Sequence, residues 1–127
     1  MNFELANKTG SKIPDISWHK IKNQALGKKY DLSLVLIGEA AMKSLNRRFL
    51  KKNKTTTVLS FSFSEDRGEI FICPVYVRKQ AENLDINFQY YIIKLYIHGL
   101  LHLKRFEHGK EMEEEEKEML LKIKVYL

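Results

Sequence analysis

The chain has 127 residues, 44% of them apolar and 30% charged, with a net charge of +6. That length suits one domain with a sizeable core, expected over residues 1–127. No apolar run approaches the ~20 residues that span a bilayer, the start MNFELANKTG lacks the apolar stretch of a secretory signal, and a single cysteine, Cys73, excludes an internal disulfide framework. A cytoplasmic protein without membrane attachment is therefore expected.

Residues 3–6 read as a first strand. Asp15 is a good N-cap for a helix running to Gly27, with Ile16, Ile21 and Ala25 facing inward and the glycine as its stop. Residues 32–37 alternate poorly but are strongly apolar, the mark of a buried strand. A helix is expected over 39–49, offering Ala40, Leu45 and Phe49 to the core, followed by a basic loop over 50–56. Two strands follow, 58–63 and 69–73, joined by a turn over 64–68. Pro74 suits the first turn of a helix to Leu84, where no amide hydrogen is needed. Asn87 can cap a long helix to Leu103, and after a break near His108 a last helix covers 111–125. Four strands and five helices in mixed order favour an α+β fold: a small mixed four-stranded sheet packed with helices, one of them long and histidine-bearing.

The charge is unevenly placed. Residues 1–110 carry a net +9 and the remainder a net −3. Arg47, Arg48, Lys51, Lys52 and Lys54 form the densest basic stretch. Clustered cations attract polyanions by releasing counterions, so nucleic acid is one sensible partner and simple solvation of a loop is the other reading. The six glutamates between Glu111 and Glu118 read as a solvated helix face.

The chemistry sits in IHGLLHLKRFEH. His98 and His102 are four residues apart, which on a helix stacks both rings on one face, one turn apart. His108 lies six residues further on. A continued helix would carry it about 9 Å away, at another azimuth, so the chain must leave the helix between Leu103 and Glu107 and fold back. Three neutral imidazoles make an open zinc site with water as fourth ligand, and zinc lowers the pKa of that water to about 7. Two histidines at this spacing also occur as ordinary core residues. Three of the chain's four histidines within eleven residues weigh toward a metal. His19 is expected at the surface, Cys73 as a small buried residue, and Glu107 either as an acceptor orienting a ligand ring or as a loop charge.

These residues carry a family resemblance. HGLLHLKRFEH resembles the signature of the YbeY family, roughly HGxLHLxGYDH, borne by bacterial metal-dependent endoribonucleases of ribosomal RNA maturation. TTTVLSFSF resembles that family's TDVLSFPF strand, GEIFIC its GDIxI strand, and SLNRRFLKKNK the segment before them. Together they cover residues 44–108 in the family's order. The resemblance implies an α+β fold, one zinc ion held by His98, His102 and His108, and endoribonuclease activity, with ribosomal RNA and the small ribosomal subunit as partners. It also implies four departures. The family's glycine is Arg105 and its aspartate before the third histidine is Glu107. The aspartate before VLSF is Thr57, and the arginine after the LN pair aligns with Leu50. Arg47, Arg48, Lys51 and Lys52 are the candidate RNA-binding cations, and Arg47, Arg48 or Lys51 is the candidate substitute for that arginine.

Two alternatives use the same histidines. One is an RNA-binding assembly factor with structural zinc. The other is a metzincin-like peptidase, which would carry a glutamate base where Gly99 stands.

Overall fold

The computed structural model describes residues 2–52, 55–104 and 109–123. Among them are four strands, β1 (Phe3–Asn7), β2 (Asp31–Leu36), β3 (Val58–Ser64) and β4 (Arg67–Ile72). Five helices are interspersed: α1 (Trp18–Leu26), α2 (Glu39–Leu50), α3 (Pro74–Leu84), α4 (Phe88–Leu103) and α5 (Lys110–Ile123). The strands form one sheet in the order β1-β2-β4-β3. β1 and β4 run parallel to β2, and β3 pairs antiparallel with β4. The α+β expectation holds, with the sheet mixed as expected.

The poor alternation of β2 has a direct cause. It lies inside the sheet and is covered on both faces, so apolar residues are needed at successive positions. Leu32, Leu34 and Leu36 join the larger core with Ile70 and Ile72 of β4, whereas Val35 joins Met42, Leu59 and Cys73 on the other face. Helix α4 packs on the first face and is flanked by α1, α3 and α5. Its Tyr96 is fully buried and donates to the Trp18 carbonyl at 2.9 Å. The Asn87 cap is present, its side chain accepting from the Tyr90 amide at 3.0 Å. Gly27 ends α1 at φ 88°, as expected of a glycine stop. No helix among the described residues is long and apolar enough to cross a membrane.

Three expectations need correction. Asp15 does not cap α1; Ser17 holds that position, without a side-chain bond. Ile16 is drawn into the core, and its carbonyl takes the Trp18 amide at 2.8 Å, so the chain turns there and the helix begins later. On α2 the buried residues are Met42 and Asn46, with Leu45 half-buried, while Ala40 is exposed and Phe49 is 57% exposed. That helix covers only the small patch around Val35, Ile37 and Leu59, and its last turn overhangs the edge strand β3, where Phe49 meets Phe61 edge-on at 5.4 Å. The turn expected over 64–68 is tighter. Ser64 pairs with Arg67, and the Ser64 hydroxyl donates to Asp66 Oδ1 at 2.9 Å within the connection.

Candidate active site

Helix α4 is apolar on the sides that meet the sheet and its neighbouring helices, and half-buried along Leu95, His98 and His102. The i,i+4 spacing brings the two imidazoles edge-to-face, with ring centroids 4.7 Å apart and the two Nε2 atoms separated by 3.1 Å. Two nitrogens bound about 2.0–2.1 Å from one tetrahedral zinc would be separated by about 3.3 Å. The pair therefore fits two ligands of one small cation. The other nitrogen of His98, Nδ1, lies 2.7 Å from Glu116 Oε1 on α5. A carboxylate can only accept, so this contact places the ring proton on Nδ1 and leaves the Nε2 lone pair turned toward His102.

The helix reaches the sheet closely because residue 99 has no side chain. A Cβ at Gly99 would stand 2.9 Å from Ser60 Oγ and 3.3 Å from both Ile70 Cδ1 and Val58 Cγ2. The Ser60 hydroxyl donates to the Gly99 carbonyl at 3.1 Å. Beside this contact opens a cavity of about 630 Å³ between α4, β3 and the end of α2. His98 and His102 line it, with Asn46, Thr57, Ser60 and Ser62 as polar wall and Leu50, Leu95 and Leu103 as apolar wall. Lys52 lines it as well. Its position follows from the end of α2: the Asn46 carbonyl accepts from the amides of Lys51 and Lys52. Lys51 takes the left-handed conformation at φ 56°, and the chain turns back toward the cavity.

Comparison with known proteins fits this geometry. The family model described as Endoribonuclease YbeY matches residues 4–127. The chain belongs to the YbeY family. An Endoribonuclease YbeY of Thermotoga maritima is 34% identical over 98 residues, covering 76% of this chain and 65% of that protein. One of Mycoplasma genitalium is 35% identical over 85 residues, covering 61% of this chain and 55% of its own. These matches thus span less than two thirds of the relatives' length. The YbeY of Thermotoga neapolitana is 31% identical over 125 residues, covering 98% of this chain and 79% of that protein. A solution structure of a Thermotoga maritima protein superposes with a TM-score of 0.70 at 27% identity, covering 95% of this chain and 88% of that one.

Within this YbeY fold, His98 and His102 come together as their spacing implied. His108, Glu107 and Arg105 lie outside the described residues, as does Lys54. Among the described residues, no three His, Cys, Asp or Glu side chains converge on one point. Of the candidate RNA-binding cations, Lys52 lines the cavity, while Arg47, Arg48 and Lys51 are exposed and do not contribute to its wall. Leu50 and Thr57, the two uncharged departures, both line it. His19 is exposed and stacks on Phe3, and Cys73 is fully buried, both as expected. Burial pushes the Cys73 thiol up, away from reactive thiolate.

Two residues of the site escaped the sequence reading. Asn46, the asparagine of the LN pair, is a buried polar residue of the cavity wall to which the sequence reading gave no role. Glu116 belongs to the run read as a solvated face, yet it is directed inward at His98. A signal for it was present. Met112, Met119 and Ile123 are the buried residues of α5, and Glu116 falls on the same stripe at helical spacing.

Proposed function

We propose that this chain is a zinc-dependent endoribonuclease acting in ribosomal RNA maturation, with His98, His102 and His108 holding the metal. The observation that carries the proposal is the pair of Nε2 atoms 3.1 Å apart at the wall of a cavity lined also by Lys52. Zinc bound there would supply Lewis-acid stabilisation of a phosphoryl oxygen and a water of lowered pKa. The residues of the chain do the rest. Glu116 keeps the His98 ring in one tautomer. The Lys52 ammonium attracts a backbone phosphate and draws the chain of RNA into the cavity. The Ser60 and Ser62 hydroxyls donate to the Gly99 and Ser64 carbonyls, so their oxygens are placed to accept from a ribose hydroxyl, and Leu95 with Leu103 limits water along the apolar wall. The small ribosomal subunit is the proposed partner, and the cytoplasm the proposed setting.

Leu50 and Thr57 favour a second reading, an RNA-binding assembly factor with structural zinc, because they leave the cavity wall without an arginine or a carboxylate at those positions. The peptidase reading finds no support, since a glutamate at residue 99 would meet Ser60, Ile70 and Val58. The deciding experiment is the metal content of the purified protein by mass spectrometry, joined to cleavage of a ribosomal RNA fragment with and without chelator. Near one zinc per chain and chelator-sensitive cleavage are expected. Zinc with binding but no cleavage would replace the nuclease by the assembly factor.

A further inference from the structure

We infer that Glu116 is the positioning residue of His98, so that helix α5 is a working part of the metal site and not an outer cover; the inference rests on the zinc reading above. The first argument is placement. Met112, Met119 and Ile123 are each nearly or fully buried against the core, and their spacing defines one side of α5. Glu116 stands between them on that side, with its side chain only 13% exposed. A carboxylate in an apolar stripe is costly unless a partner compensates its lost hydration. Neighbouring acidic residues face water instead: Glu111, Glu113, Glu114 and Glu118 are all exposed. Glu115 is half-buried like Glu116, but it is the carboxylate of residue 116 that meets His98 Nδ1, at 2.7 Å, the length of a charge-assisted bond.

The second argument is what that bond does to the ring. A neutral imidazole offers one lone pair, on whichever nitrogen lacks the proton. With Nδ1 donating to Glu116, the lone pair is on Nε2, the atom that stands 3.1 Å from His102 Nε2. The carboxylate thus selects the tautomer that can ligate, and it holds the ring plane by an anchor on a separate helix. Carboxylates behind metal-ligating histidines raise ligand basicity, and removing them typically costs about 10–100-fold in metal affinity. The coupling runs both ways. A cation that prefers the docked helix stabilises its docking by the same free energy with which docking strengthens the cation site.

The test uses the full chain as wild type, Glu116→Ala, Glu116→Gln and Glu114→Ala. Zinc affinity is read by competition with a chromogenic chelator, and the His98 ring by nitrogen NMR of the metal-free protein. The wild-type ring is expected protonated at Nδ1. Glu116→Ala is expected to bind zinc about 10–100-fold more weakly and to show His98 as a mixture of tautomers. Glu116→Gln keeps an acceptor oxygen and should lie closer to wild type, and Glu114→Ala should match it. Zinc should also slow amide exchange in α5 of the wild type. The inference is overturned if wild-type His98 carries its proton on Nε2, or if Glu116→Ala binds zinc no more weakly than Glu114→Ala. If the wild type takes up no zinc, the zinc reading fails and with it the metal role, while the ring spectra separately report whether Glu116 sets the tautomer.

Discussion

Ser60 on β3 donates its hydroxyl to the carbonyl of Gly99 on α4 at 3.1 Å, and in doing so fixes the height at which the histidine helix rides over the sheet. Any side chain at residue 99 would work against this contact. Gly99→Ala places a Cβ 2.9 Å from Ser60 Oγ and 3.3 Å from Ile70 and Val58. The serine can rotate away, but only by giving up its bond, and the two apolar neighbours must yield as well. A loss of about 1–3 kcal/mol is expected, typical of overpacking, measured as a lower urea midpoint at unchanged slope. An unchanged midpoint would mean that α4 is free to lift.

The metal reading predicts unequal effects among the four histidines. His98→Ala, His102→Ala and His108→Ala should each lower zinc occupancy substantially, whereas His19→Ala, which loses only its stacking on Phe3, should not. Mass spectrometry of the purified variants under native conditions reads the result. Full occupancy in the first three would remove the site.

The basic stretch divides into a cavity residue and surface residues. Lys52→Ala should reduce the slope of log affinity for RNA against log salt by about 0.7–0.9, one phosphate contact's worth of released counterions. Neutralising Arg47, Arg48 and Lys51 together with Lys52 should flatten the slope further and weaken binding at low salt. A quadruple variant with the wild-type slope would place the RNA surface elsewhere on the molecule.

Leu50 is 47% exposed and lines the cavity, so an arginine there can keep its guanidinium in water or at the cavity wall without being buried. Arginine matches phosphate with two parallel hydrogen bonds and stays charged at any working pH. Leu50→Arg is therefore expected to speed single-turnover cleavage of a ribosomal RNA fragment, with an upper range of about a hundredfold for a cation aimed at transition-state charge. A folded variant no faster than wild type would show that Lys52 or another cation already fills the role.

Lys22 gives the fold a pH signature. The residue is fully buried, its amine donating to Asn23 Oδ1 at 3.2 Å and to the Lys28 carbonyl at 3.4 Å. Burial pushes its pKa below the ordinary lysine range, and Asp31 opposes this only in part. The folded chain thus binds this proton less tightly than the unfolded chain does. The resulting penalty is fully present below the folded pKa and is relieved as pH rises from there toward the unfolded value of about 10.4. Lys22→Met removes the group, so its stability advantage over wild type should shrink across that alkaline window in chemical denaturation. An advantage independent of pH would contradict the assignment.

The parts of the fold that were legible in sequence are those with one dominant signal. Pro74 and Gly27 mark helix ends by their backbone chemistry and Asn87 by its side-chain cap, and each does so in the structure. His98 and His102 declare a shared face by spacing. Misreadings arose where two signals competed. Asp15 is a strong capping residue, but burying Ile16 and seating Trp18 against Tyr96 set the start of α1 instead. Phe49 is apolar and at helical spacing from Leu45, yet the sheet ends beneath it, and no local pattern reveals where a sheet ends. Glu116 was hidden by its neighbours. A run of glutamates looks uniform until the methionines and isoleucine of the same helix are used to find its inward side.

The strand order has a consequence for how the cavity is maintained. Its wall draws on α2 only at Asn46 and Leu50, and on Lys52 just beyond that helix; the remaining lining residues come from residues 56–103, which are continuous in the chain. Within that stretch β3 and β4 close on each other through a short connection, with little loop entropy to overcome, and α4 settles on β3. β1 sits at the opposite border of the sheet, paired on one side only and mostly exposed. Fraying of the N-terminal strand therefore opens the molecule at the border farthest from His98 and His102, and thermal breathing there leaves the spacing of the two rings intact.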